Sequence, residues 1–100
     1  MTIRPFTINI GDGDLEDLRR RLRATRWPAG LKDGSWEDGA SLAFVKHLVD
    51  HWLSGFDWRA QERRLNRLPH YMATVAGNKV HFVHQPGRGP EPMPLVLTHG

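Results

Sequence analysis

The feature that most constrains the fold is Pro94-Leu95-Val96-Leu97-Thr98-His99-Gly100 at the carboxyl end of the chain. An uninterrupted apolar run bounded by turn residues reads as a strand buried on both faces, as in a parallel sheet. Parallel strands are joined by crossovers of a dozen or more residues, usually helical. Nothing follows Gly100 here. The sequence therefore reads as reaching the point where a larger α/β sheet begins, with everything upstream as the approach to it.

The approach divides by periodicity. Phe6, Ile8 and Ile10 alternate with polar residues and predict a short extended segment over 5–10. Gly11-Asp12-Gly13 breaks it, and Asp14 is expected to cap a first helix over about 15–25, with Leu15, Leu18 and Leu22 as its apolar stripe. Pro28 ends that helix at or before Trp27. Residues 28–40 read as a loop, with Trp36 expected to plug an apolar hollow. A second helix, about 41–54, opens at Ser41 or Asp38. It carries Leu42, Val45, Leu48, Val49 and Trp52 on one broad face, widened by Phe44 and Leu53, and stops near Gly55. Asp57 caps a third helix, about 58–68, ahead of Pro69.

From Tyr71 the period changes to two. Tyr71, Ala73 and Val75 alternate, Gly77-Asn78 reads as the turn, and Val80, Phe82 and His84 alternate on the return, which predicts a β-hairpin. The expected fold class is α+β: three helices, a hairpin and one further strand.

Composition excludes several function classes. Of 100 residues, 39% are hydrophobic and 25% charged, the balance of a globular chain rather than a disordered one. There is no Cys, hence no disulfide framework and no thiol nucleophile. No apolar run approaches membrane-spanning length, and a cytoplasmic, anchor-free protein is expected. The charge of +3 concentrates in Arg19, Arg20, Arg21, Arg23 and Arg26 and in Arg59, Arg63, Arg64 and Arg67. Glu16, Asp17 and Glu62 interrupt both groups, which marks solvated helix faces rather than a nucleic-acid footprint.

The six His carry little chemistry by pattern. His47 and His51 stand at i, i+4, a spacing that can grip zinc, but the Glu of His-Glu-x-x-His is replaced by Leu48 and no third ligand is evident. His81 and His84 fall on opposite faces of a strand, and His70 belongs to no motif. No Ser, Cys or Asp lies on a strand-to-helix elbow, and the Gly-rich loop 86–90 fits no phosphate-binding template. No metal and no cofactor is expected.

The order of segments resembles a specific family. Pro5-Phe6-x-Ile8-x-Ile10 and Leu15-x-Asp17-Leu18-x-x-Arg21-Leu22-x-x-Thr25-Arg26-Trp27-Pro28 are similar to the N-terminal region of microsomal-type epoxide hydrolases. The likeness continues through Leu48-Val49-Asp50-x-Trp52, Phe56-Asp57-Trp58-Arg59-x-Gln61-Glu62-x-x-Leu65-Asn66 and Pro69-His70-Tyr71. It extends to Val80-His81-Phe82-Val83-His84 and Leu95-x-Leu97-Thr98-His99-Gly100. One departure is Gly77-Asn78, where the family more often has Asp-Gly.

This resemblance implies an α/β-hydrolase fold preceded by a meander that wraps the core and cap, with residues 1–70 as the wrapping region and 71–100 as the first strands of the core. It implies that His99 and Gly100 begin the family's His-Gly-x-Pro oxyanion-hole loop. An Asp nucleophile, two cap Tyr and a His–acid pair would lie downstream, so no complete catalytic set is expected within 1–100. Tyr71 and the other His match none of those positions. The implied partners are the hydrolase core and cap, with a small apolar epoxide as substrate of the complete enzyme. From the residues alone, a non-catalytic helical interaction module, acting through its aromatic-rich faces, stays open.

Overall fold

A computed structural model of the chain describes residues 1–29 and 35–100. The middle of the 28–40 loop, residues 30–34, lies outside the described residues. The elements are β1 (Thr2–Phe6), α1 (Asp12–Arg23), α2 (Leu42–Ser54), α3 (Trp58–Leu65), β2 (His70–Val75) and β3 (Asn78–Val83). The chain divides into two compact units, one of residues 1–8 with 62–100 and the other of residues 9–61.

The first unit is a three-stranded antiparallel sheet in the order β1-β2-β3. The expected third strand is present, but it is β1 and not 94–98. Residues 94–98 pair with no strand among the described residues, and Leu95, Val96 and Leu97 are 78%, 86% and 83% exposed. An apolar run carries no hydrogen bonds of its own and becomes a strand only on a sheet edge. The second edge of β2 is taken by β1, with Phe6 opposite His70 and Thr2 opposite Thr74. Pro5 sits in β1 because β1 is an outer strand, where a missing N–H breaks no ladder bond.

The extended segment thus lies at 2–6, earlier than the alternation over 5–10 suggests. Ile8, beyond the strand, is held instead by a side chain. Asn66 Oδ1 accepts from the Ile8 N–H at 2.9 Å, and Asn66 Nδ2 donates to the Ile8 carbonyl at 2.8 Å. One amide therefore satisfies both backbone groups of a residue 58 positions away.

The hairpin forms as expected, with its turn one residue earlier. Val75 pairs with Asn78, so the turn residues are Ala76 and Gly77, at φ 48° and 81°. Two positive φ values define the tight turn that matches strand twist. Glycine meets that demand at Gly77; Ala76 meets it against its Cβ.

Strand alternation sorts the sheet side chains. Tyr71 lies opposite Phe82, their ring centres 5.5 Å apart, and Ala73, next on that face, is buried at 5% exposure. The other face carries Phe6, His70 and His81, with the Phe6 and His81 rings edge to face at 5.3 Å. His70 is buried. Its Nε2 lies 2.7 Å from the Leu65 carbonyl at the end of α3, and its Nδ1 lies 3.0 Å from His81 Nε2. His84 sits with Tyr71, on the side away from His81, as the strand spacing requires.

The second unit holds α1, α2 and the start of α3. Helix α1 begins earlier than expected: Gly11 is its N-cap, without a side-chain cap bond, and Asp12 and Asp14 lie in its first turn. Their carboxylates compensate through the helix dipole for the missing cap. Leu15, Leu18 and Leu22 are half-buried along one stripe, as the spacing predicts. Asp17 accepts from Arg20 at 2.5 Å and from Arg21 at 2.7 Å, and the Arg20 bond above all holds the Asp17 carboxyl below its usual value. These pairs are solvent-exposed and make α1 a charged outer face.

Helix α2 follows expectation closely. Buried Ser41 caps it, its hydroxyl accepting from the Phe44 N–H at 3.3 Å, and Gly55 closes it. Asp57 caps α3 through the Ala60 N–H at 3.0 Å. Helix α3 ends at Leu65, and residues 66–68 continue as tighter turns, Arg67 N–H to Arg64 C=O and Leu68 N–H to Leu65 C=O. Trp36, expected in a hollow, rests against Phe44 with ring centres 5.2 Å apart and stays exposed.

Candidate functional site

The apolar residues of α2 fall into two stripes with different fates. Leu42, Val45, Val49 and Leu53 recur at intervals of three and four and are half-buried, with α1 packed on α2. Phe44, Leu48 and Trp52 form the neighbouring stripe and are exposed. A helix apolar over so wide an arc covers two surfaces at once.

The second stripe opens into a groove of about 520 Å³ lined by Ile10, Leu18, Leu48, His51, Trp52, Phe56 and Trp58. Its position follows from the sequence. Gly55 and Phe56 turn the chain at the end of α2, where the Gly55 and Phe56 N–H groups both reach the His51 carbonyl, at 2.7 and 3.0 Å. That turn carries Phe56 and Trp58 back beside Trp52. The nearby ion pair between Arg59 and Asp12, at 2.6 Å, ties the start of α3 to the start of α1.

The chemistry of this groove is that of contact. Its lining has one imidazole and no carboxylate, hydroxyl or cation, so it offers no nucleophile–base pair. Three aromatic rings on an open face give instead a large apolar area with little conformational entropy to lose. An open apolar patch of this kind marks an interaction surface.

The sequence-derived site residues are placed as follows. His99 and Gly100 lie in the exposed terminal segment, with His99 Nδ1 3.1 Å from the Gly100 carbonyl oxygen. His47 and His51 share α2, and among the described residues no group of three or more His, Asp or Glu is arranged to hold a metal. Tyr71 stacks on Phe82. Two residues escaped the pattern: Asn66, which braces Ile8, and His70, which bridges α3 and β3. No periodic signal could have found them, because each acts through side-chain hydrogen bonds to specific atoms outside its own element. Among the described residues, no helix is long and apolar enough to cross a membrane.

Three helices and a short three-stranded antiparallel sheet are the α+β composition of the N-terminal region of an α/β-hydrolase. The family described as epoxide hydrolase N terminus matches residues 3–100, and the chain belongs to that family. A putative epoxide hydrolase of Stigmatella aurantiaca is 41% identical over 98 residues, covering 98% of this chain and 22% of the relative. Juvenile hormone epoxide hydrolase 1 of Ctenocephalides felis is 34% identical over 103 residues, covering 100% and 22%. The structure of the Aspergillus niger epoxide hydrolase superposes with a TM-score of 0.74 at 30% identity, covering 83% of this chain and 22% of that one. The chain thus spans about a fifth of the length of the relatives it matches.

Proposed function

We propose that this chain is the N-terminal wrapping region of an epoxide hydrolase that adds water to an epoxide to give a vicinal diol. Residues 1–70 act as the wrapping meander and residues 71–100 as the first strands of the core. The observation that carries the reading is the family match across residues 3–100, read with the open apolar groove, whose lining suits a fixed protein partner. That partner is the hydrolase core and cap, and Leu48, Trp52, Phe56 and Trp58 are the residues that meet it.

The chemistry proposed for the complete enzyme runs in two steps. An Asp carboxylate attacks an epoxide carbon, the C–O bond breaks, and the alkoxide takes a proton from Tyr. Water activated by a His–acid pair then attacks the ester carbonyl, releasing the diol and restoring the carboxylate. His99 and Gly100 begin the loop whose backbone N–H groups stabilise the oxyanion of the second step. Residues 1–100 supply no Asp, Tyr or His at the matching motif positions, so this chain by itself opens no epoxide.

Two assays test this. Purified chain 1–100, given a simple aromatic epoxide, is expected to form no diol above a heat-killed control. In the Aspergillus niger enzyme, replacing the matching N-terminal region by residues 1–100 is expected to keep diol formation, and adding Trp52→Asp to abolish it. Turnover by 1–100 alone, or a folded chimera that forms no diol, would overturn the proposal.

A further inference from the structure

The His70–His81 contact has only certain protonation states open to it. The Leu65 carbonyl can only accept, so the His70 Nε2 at 2.7 Å from it carries a hydrogen. In the neutral ring Nδ1 is then a bare acceptor, and the His81 Nε2 at 3.0 Å must be the donor. The facing nitrogens are far closer than the ring centres, which are 5.2 Å apart, and the ring planes differ by only 20°. The rings therefore meet edge to edge, in the alignment of an in-plane N–H···N bond.

We propose that His70 and His81 form a one-proton latch that fastens the end of α3 to β2 and β3 and opens when both rings are charged. This inference is independent of the function proposed above. One added proton leaves the bridge intact: whichever ring holds it, the other nitrogen still accepts, and the bond becomes charge-assisted. A second proton removes the acceptor. Two donors then face each other across 3.0 Å, and two cations repel.

The cations on the same sheet face, Arg4 and Lys79, favour opening at that point. Arg4 on β1 lies opposite Met72, and Met72 lies opposite His81, so Arg4 and His81 share a face. Lys79 is on the same face of β3, two residues from His81. Buried Glu62, one turn before Leu65 on α3, is the one acid on that helix end and acts against them, and His84 stands on the opposite face beside Tyr71. In acid the unfolded chain binds both protons freely while the latched pair holds one. Acid therefore favours the open form, by up to about tenfold in the opening constant per pH unit.

The test is pH-resolved deuterium exchange, read by mass spectrometry on the full chain, His81→Gln and His81→Phe. Amide exchange over 70–83, corrected for intrinsic rates, reports opening. In the parent it is expected to accelerate in acid by up to about tenfold per pH unit. His81→Gln keeps a donor but cannot be charged, so the acid acceleration should vanish. His81→Phe removes the second cation and should lose the acceleration as well. A parent whose exchange over 70–83 does not accelerate in acid would overturn the latch by itself, even if neither variant folds. Amide profiles identical in all three chains would overturn it as well.

Discussion

Asn66 offers the sharpest test of how this short chain is braced. Its amide makes two hydrogen bonds, at 2.9 and 2.8 Å, to the N–H and C=O of half-buried Ile8. Each is worth about 0.5–1.5 kcal/mol net. Asn66→Ala should therefore weaken local protection by about 1–3 kcal/mol, which is roughly 5–150-fold in exchange rate at the Ile8 amide. Deuterium exchange on peptides spanning β1 through Ile8 reads this directly and tolerates an associating sample. Asn66→Asp separates the two bonds. At neutral pH its carboxylate still accepts from the Ile8 N–H but repels the Ile8 carbonyl. Relative to the parent the loss should recover as pH falls through the ordinary carboxylate range near about 4, where the protonated acid can donate again. An Ile8 exchange rate within twofold of the parent in Asn66→Ala, or a pH-independent Asn66→Asp, would refute the bracing role.

Three further outcomes are expected. Ala76→Gly or Ala76→Asn should slow exchange across β2 and β3 by roughly two- to fivefold, because the positive φ at Ala76 costs about 1–2 kcal/mol, of which the freer unfolded chain of the glycine variant gives back about 0.4–1 kcal/mol; no change would mean the turn is unstrained. Ser41→Ala should cost about 1 kcal/mol and raise exchange in the first turn of α2, where the Phe44 N–H loses its partner. The arginine faces should bind duplex DNA or RNA no better than the non-specific range of about 10⁻⁴–10⁻⁶ M at physiological salt, since Asp17 already engages Arg20 and Arg21 and Asp12 engages Arg59; tighter, salt-dependent binding in a filter or anisotropy assay would contradict this.

What the sequence makes legible here is whatever is local. Ser41, Gly55 and Asp57 mark helix ends by their own side chains or by lacking one, and all three stand where composition places them. The period-two pattern finds the hairpin for the same reason, and misplaces its turn by one residue because Gly77 serves equally as first or second turn residue. Pairing between distant segments leaves no such trace. The alternation of Phe6, Ile8 and Ile10 points past β1, and the apolar run at 95–97 reads as a strand although no edge meets it. Likewise the broad face of α2 is visible in sequence, but its division into a covered stripe and an open groove depends on where α1 lies.

The central claim is that the groove residues are shaped for a partner, so the decisive measurement is size-exclusion chromatography with light scattering, paired with thermal unfolding of the chain alone. Each large apolar side chain left uncovered forgoes on the order of 1.5–3 kcal/mol, and Leu48, Trp52 and Phe56 are all exposed. A domain with about 5–15 kcal/mol of stability cannot spare several such contributions. The expected result is concentration-dependent association, a broad transition and strong binding of a hydrophobic dye. A monodisperse monomer with a sharp, cooperative transition and little dye binding would contradict the account and make the chain a self-sufficient interaction module.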